Sequence, residues 1–83
     1  MKIRYFAWLR HTMGCDEEDI ALPAEVKTVG MLLDWLPTCG ERHARALEFI
    51  DMIMVSVNQQ YADRQQPLID TDEVLLIPPI SGG

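Results

Sequence analysis

From Lys2 to Leu9 apolar and polar positions nearly alternate, with Ile3, Tyr5, Ala7 and Leu9 on one side and Arg4, Phe6 and Trp8 on the other. A period of two predicts a first strand over these residues. Met13-Gly14 and the acidic run from Asp16 to Asp19 interrupt it. The short alternation Asp19-Ile20-Ala21-Leu22 then predicts a second strand, which Pro23 stops. The period changes at Thr28, a residue suited to a helix N-cap. After it Val29, Leu32, Leu33 and Leu36 recur at i, i+3, i+4 and i+7, one face of a helix that ends at Pro37. Gly40 separates it from a second helical stretch, Glu41 to about Phe49, with Ala44, Leu47 and Ile50 turned inward and Glu41, Arg42, Arg45 and Glu48 left in water.

Ile53, Val55 and Val57 alternate with Met54, Ser56 and Asn58, the pattern of a half-buried strand, and Asn58-Gln59-Gln60 supplies a turn. Pro67-Leu68-Ile69 reads as a short edge or connecting segment and Asp70-Thr71-Asp72 as another turn. Glu73 to Ile77 is the last strand. Its run Val74-Leu75-Leu76-Ile77 is apolar without alternation, so both faces should be covered, one by the core and the other by a partner.

The order is strand, strand, helix, helix, strand, short segment, strand. Two hairpin-like pairs flank a helical crossover, which is most simply accommodated by an α+β fold with a mixed sheet packed on one face by helices, a ubiquitin-like β-grasp. The expected division is a β-grasp domain over 1–77 and an extended functional tail over 78–83. A chain of 83 residues makes one domain, and at that length folding buries somewhat over about 60% of the unfolded surface. A deep enclosed cleft is therefore not expected.

The formal net charge is −6, and the basic residues Lys2, Arg4, Arg10, Lys27, Arg42, Arg45 and Arg64 are scattered. Without a cationic stripe to neutralise phosphates, nucleic acid is excluded as a partner, and an acidic body is steered instead toward a protein with a basic surface. The opening residues lack the layout of a signal peptide and no apolar run has the length of a membrane span, so a cytoplasmic protein without membrane contact is expected. Cys15 and Cys39 fit neither a zinc knuckle nor a disulfide framework and are read as free thiols.

Side-chain chemistry finds little support. His11 and His43 lie on different predicted elements with no ligand at metal-binding spacing, so both are read as surface or cap histidines and no metal is assigned. Asp16 to Asp19 and Asp70 to Glu73 lack the twelve-residue calcium pattern and are read as solvated turns. Ser56 and Ser81 stand in no nucleophile-elbow setting. Trp8, Trp35, Met31, Met52 and Met54 are read as core filling.

The C-terminus differs. Pro78-Pro79-Ile80-Ser81-Gly82-Gly83 follows the last strand and stops. Two prolines fix φ and remove donors, so the chain leaves the sheet stiff and extended, and Gly82-Gly83 can pass a narrow channel. The four residues after Pro79 span roughly 13 to 14 Å, enough to enter another protein's active site. A free main-chain carboxylate, with a pKa of about 3.5, is an anion at neutral pH and must be activated, most simply as an acyl-adenylate made from ATP by a partner.

Phe6-Ala7-Trp8-Leu9-Arg10 followed by Gly14, Val57-Asn58-Gln59, Pro67-Leu68-x-Asp70-x-Asp72-Glu73-Val74 and the terminal hexapeptide span nearly the whole chain. In this order they resemble the MoaD-type branch of the ubiquitin-like sulfur carriers, the small subunits of molybdopterin synthase. His11 stands where that family commonly has an acidic residue, and Leu76-Ile77 replaces a frequent aromatic before Pro-Pro. The resemblance implies that an E1-like adenylyltransferase adenylates Gly83, that sulfur replaces the adenylate to give a thiocarboxylate, and that Pro78, Pro79, Ile80, Ser81 and Gly82 insert the tail into the large synthase subunit. Phe6, Leu75 and Ile77 are the implied partner contacts. The sulfur would pass to cyclic pyranopterin monophosphate held by the large subunit, to build the molybdopterin dithiolene in a heterotetramer of two small and two large subunits. The small subunit itself would bind no cofactor, ATP being used by the activating partner.

Three other readings share parts of this pattern. A thiazole-forming sulfur carrier of thiamin biosynthesis has the same fold and ending but typically lacks much of the region over Glu41 to Phe49. A ubiquitin-like modifier joined to lysines through Gly83 uses the same adenylate. A plain β-grasp interaction module leaves the Pro-Pro-x-Ser-Gly-Gly ending without a role.

Overall fold

The strand with the longest apolar run takes the centre of the sheet. The computed structural model describes residues 1–79, in the order β1 (Lys2–Tyr5), α1 (Trp8–Met13), β2 (Glu17–Asp19), α2 (Val29–Trp35), α3 (Glu41–Ala46), β3 (Met54–Val57), β4 (Gln60–Ala62) and β5 (Glu73–Ile77). The sheet order is β2-β1-β5-β3-β4. β1 and β5 run parallel, with Ile3 opposite Val74 and Tyr5 opposite Leu76, while every other pair is antiparallel. This is the mixed α+β sheet expected of a β-grasp.

Burial follows the pleat. Ile3 on β1 and Val74 and Leu76 on β5 are fully buried beneath the helices, together with Leu9 of α1, Val29 and Leu32 of α2, and Leu36. Burying each such side chain is worth about 1.5–3 kcal/mol, so this layer dominates the favourable side of folding. Thr28 caps α2 by accepting the Met31 amide at 3.2 Å, and the Val29, Leu32, Leu33, Leu36 face is buried as its spacing predicts. Residues 64–67 cross the start of α2, where Gly30 N donates to the Arg64 carbonyl at 2.8 Å. A Cβ on Gly30 would lie 3.0 Å from that carbonyl oxygen, so only glycine admits the crossing without movement.

Several expectations need correction. The first strand ends at Tyr5, not Leu9, because Ala7 takes φ 53° and turns the chain into α1, where Leu9 and Met13 are buried at helical spacing. The second strand is Glu17–Asp19, two residues earlier than read, so part of the acidic run is strand and not turn; Ile20 continues its alignment by exchanging bonds of 2.8 Å with Met1 in both directions. α2 itself stops at Trp35, ahead of Pro37, and the chain continues through Pro37 in a 3-10 turn, Leu36–Cys39. The second helix stops at Ala46 and buries Ala46, not Ala44, which is exposed; a 3-10 turn over Ile50–Met52 follows. Ser56 is buried although it lies on the face read as wet. Met31, Met52 and Met54 are exposed instead of filling the core, and Trp8 and Trp35 are only partly buried. Among the described residues no helix is long and apolar enough to cross a membrane.

β4 was not foreseen at all. Asn58 and Gln59 both take positive φ, 50° and 71°, which makes a two-residue type I′ turn between Val57 and Gln60 and folds β4 back on β3. Asn58 also fastens this hairpin to the start of β5. Its amide nitrogen donates to Asp72 at 2.8 Å, its side-chain oxygen accepts the Glu73 amide at 3.0 Å, and its own main-chain amide donates to the Glu73 carbonyl at 2.8 Å. Asn58→Ala removes two of these bonds and puts at φ 50° a residue without the short polar side chain that lets asparagine tolerate the left-handed region, so a loss of about 2 kcal/mol is expected. Asn58→Gly keeps the turn and should cost less. Urea midpoints at equal m-values measure both, and an alanine variant as stable as the glycine variant contradicts this role.

Candidate functional site: the exit of the last strand

β5 is held on both sides until Ile77, which is opposite Met54 of β3, and Phe6 N donates to the Leu76 carbonyl at 3.2 Å just beyond β1. Pro78 and Pro79 then offer no amide to either neighbour, so the ladders end there for a covalent reason. Pro78 is buried and Pro79 half-buried, so the first two residues of the expected tail still lie against the sheet. Ile80, Ser81, Gly82 and Gly83, the remainder of the expected site, lie outside the described residues.

The three expected partner contacts are brought together. Leu75 and Ile77 are half-buried on the sheet face away from the helices, and Phe6 is 39% exposed beside the exit. Register adds two residues that sequence reasoning missed. Ser56 is opposite both Tyr61 and Leu75, and Met54 is opposite Ile77, so Tyr61 (73% exposed) and Met54 (50%) share this face. Ser56, Gln59, Tyr61, Leu75 and Ile77 line a shallow depression of about 260 Å³ in it. The only advance signal for Tyr61 was its place two residues past a two-residue turn. Along β1 the same face becomes charged, with Arg4 opposite Leu75 and Lys2 paired with Glu17 at 3.3 Å. The result is an apolar patch at the exit with a polar rim, the anatomy of a protein interface.

Beneath the exit, Tyr5 donates its phenol to Glu18 Oε1, and His43 Nε2 lies 2.8 Å from the same oxygen. One carboxylate thus ties β1, β2 and α3 together. His43 is half-buried in this contact, not the free surface or cap histidine expected, whereas His11 is exposed. Burial, and then the bond to Glu18, push the Tyr5 phenol far above the ordinary tyrosine value. Cys15 and Cys39, distant in sequence, line one cleft with Glu18 and His43, and both are free thiols. Desolvation, reinforced by the Glu18 charge, raises both above the ordinary cysteine value, so neither is prepared as a nucleophile. Among the described residues no group of three or more His, Cys, Asp or Glu could hold a metal ion.

A β-grasp whose last strand ends beside an apolar face has known relatives. The ThiS family model matches residues 3–83. The chain belongs to the ThiS family. It is 35% identical over 83 residues to the molybdopterin synthase sulfur carrier subunit of Escherichia coli (strain K12), covering 100% of this chain and 99% of that one. The human protein of the same name is 29% identical over 86 residues, covering 100% and 93%. Among solved structures, SAMP1 from Haloferax volcanii superposes with a TM-score of 0.76 at 30% identity, covering 100% and 98%. A complex of subunits 1 and 2 of the molybdopterin-converting factor from Helicobacter pylori 26695 also matches, with a TM-score of 0.63 at 23% identity over 99% and 96%, and so shares the fold.

The buried phenol sets a pH dependence. Because its folded pKa is raised, Tyr5 contributes stability that is present below about pH 10, the unfolded tyrosine value, and lost as pH rises above it. Tyr5→Phe should be less stable than the parent at pH 8, with the gap narrowing toward pH 11. Urea midpoints across this range test it, and parallel profiles for the two proteins rule it out.

Proposed function

We propose that this chain is the sulfur carrier subunit of a molybdopterin synthase and that its working group is the main-chain carboxylate of Gly83. The observation that carries the reading is the end-to-end match to proteins bearing that name, on a fold that brings the chain out beside an apolar interface. An E1-like enzyme activates the terminus: the carboxylate oxygen attacks the α-phosphorus of ATP, pyrophosphate leaves, and an acyl-adenylate forms. A sulfur donor then displaces AMP to leave a thiocarboxylate. Pro78 to Gly82 thread the end into the large subunit, whose bound cyclic pyranopterin monophosphate takes the sulfur, and two such transfers complete the dithiolene. Phe6, Leu75 and Ile77, with Tyr61 and Met54, form the contact with the large subunit, in a heterotetramer of two copies of each. The protein works in the cytoplasm as a carrier, with the catalytic side chains on its partners.

The similarity to SAMP1 at 30% identity, and at 28% to a second structure, described as H. volcanii small archaeal modifier protein 1, favours a second reading in which the same activated Gly83 is joined to lysines of other proteins. The two diverge only after the adenylate.

Intact-mass spectrometry of the chain treated with its activating enzyme, ATP and a sulfur source should show one terminal oxygen exchanged for sulfur. Deleting Gly83 should abolish both this species and pterin sulfuration while the thermal melt stays unchanged. A ladder of covalent adducts in cell extract, with no thiocarboxylate, supports the modifier reading instead. At the interface, Ile77→Glu should weaken binding of the large subunit by about 30-fold, the effect of losing one contact worth about 2 kcal/mol at the centre of a patch. Isothermal titration measures it, and unchanged affinity places the contact elsewhere.

A further inference from the structure

Beyond Met54 and Tyr61, the β4 edge of the molecule has no part in the exit or the open sheet face. There α2, the 3-10 turn over Ile50–Met52 and the last strand on that side, β4, leave an open groove of about 310 Å³. Its floor is apolar: Val29 and Leu33 come from α2, Ile53 and Val55 from the start of β3, and Ala62 from β4. Beside Ile50 on its lip, Phe49 and Met52 are 58% and 59% exposed, so large apolar side chains stand in water along one side.

Charge distinguishes the occupants. Arg64, the cation on the rim, is already engaged, with a nitrogen 2.9 Å from Asp34 and 3.3 Å from the Gly30 carbonyl. Asp51 and Asp63 line the same rim, and among the described residues no cation pairs with either. Asp63 accepts only the Gln65 amide at 2.8 Å. The rim is therefore negative on a chain of net charge −6. A second copy would bring the same carboxylates against these, an arrangement that like-charge repulsion opposes. A small apolar ligand would leave the exposed Phe49 and Met52 and both carboxylates unused.

We propose that this groove is a docking site for a segment of a partner protein that places an apolar side chain between basic residues. The apolar side chain enters over Val29, Leu33 and Ala62, and its Lys or Arg neighbours meet Asp51 and Asp63. The groove reaches the sheet face at Met54 and Tyr61 but does not include Leu75 or Ile77, and the proposal stands whether or not Gly83 carries sulfur.

The test uses the full chain and the hexapeptide acetyl-Lys-Arg-Leu-Leu-Arg-Lys-amide, followed by amide chemical shifts. Perturbations are expected at Ile53, Ala62 and Arg64 and not at Leu75 or Ile77. Raising salt from about 0.05 to about 0.3 M should weaken binding, since the rim charges are exposed. Asp51→Lys/Asp63→Lys should weaken it about tenfold, and Asp51→Lys alone, which breaks no described internal hydrogen bond, by a smaller factor with the spectrum otherwise unchanged. The proposal is overturned if acetyl-Glu-Asp-Leu-Leu-Asp-Glu-amide binds as well, if the perturbations fall on Leu75 and Ile77, or if no shift occurs at millimolar peptide.

Discussion

The pairing of β5 between β1 and β3 is what the rest of the molecule depends on. A chain's final strand usually has the option of an edge, where it can fray. Here it is held by a parallel ladder on one side and an antiparallel ladder on the other, with Val74 and Leu76 sealed in the core. Ile77 is thus fixed as firmly as any position in the protein, and Pro78 and Pro79, which offer no amide, end both ladders there. Because β1 comes from the other end of the chain, the central pair joins residues about seventy positions apart, a contact of high closure entropy that forms only when the intervening fold is complete. The position of Ile77, where the ladders stop, is in this way tied to global folding.

How much of this could be read from the residues depended on whether the signal was local. Thr28 and the Val29, Leu32, Leu33, Leu36 spacing carry the whole of α2 within eight or so neighbouring positions, so its start and buried face follow directly. The last strand was equally plain, because a run of four apolar residues before Pro-Pro admits few alternatives. The first strand ran too long because Phe6, Trp8 and Leu9 suit either period, and nothing in an alanine announces that Ala7 will take φ 53°. β4 was missed for a related reason: Asn tolerates the left-handed region, but Gln59 at φ 71° is uncommon, and the turn is held there by the bonds from Asn58 to Asp72 and Glu73. These are tertiary facts, and so is the meeting of Tyr5, His43 and Glu18.

Of the site, the Pro-Pro-x-Ser-Gly-Gly ending and the apolar strand were visible as pattern, and Leu75 and Ile77 lie half-buried on one face of that strand. What pattern could not supply was the far half of the patch. Tyr61 and Met54 join it only through the register of β3 with β4 and β5, and the methionine had looked like core filling. An exposed methionine on a sheet face is a soft, adaptable contact, better suited to an interface that forms and separates than to a permanent core.

A carrier of a reactive group must also not consume it, and the composition of the body bears on this. Of its seven basic residues five are arginines, Arg4, Arg10, Arg42, Arg45 and Arg64, whose guanidinium groups stay protonated and do not attack acyl centres. Of the two lysines, Lys2 is paired with Glu17. The two thiols, the strongest potential nucleophiles in the chain, are shifted toward their protonated forms by partial desolvation and by the same Glu18 carboxylate that fastens β2 to β1 and α3. One buried-edge carboxylate therefore serves architecture and chemical quiet together.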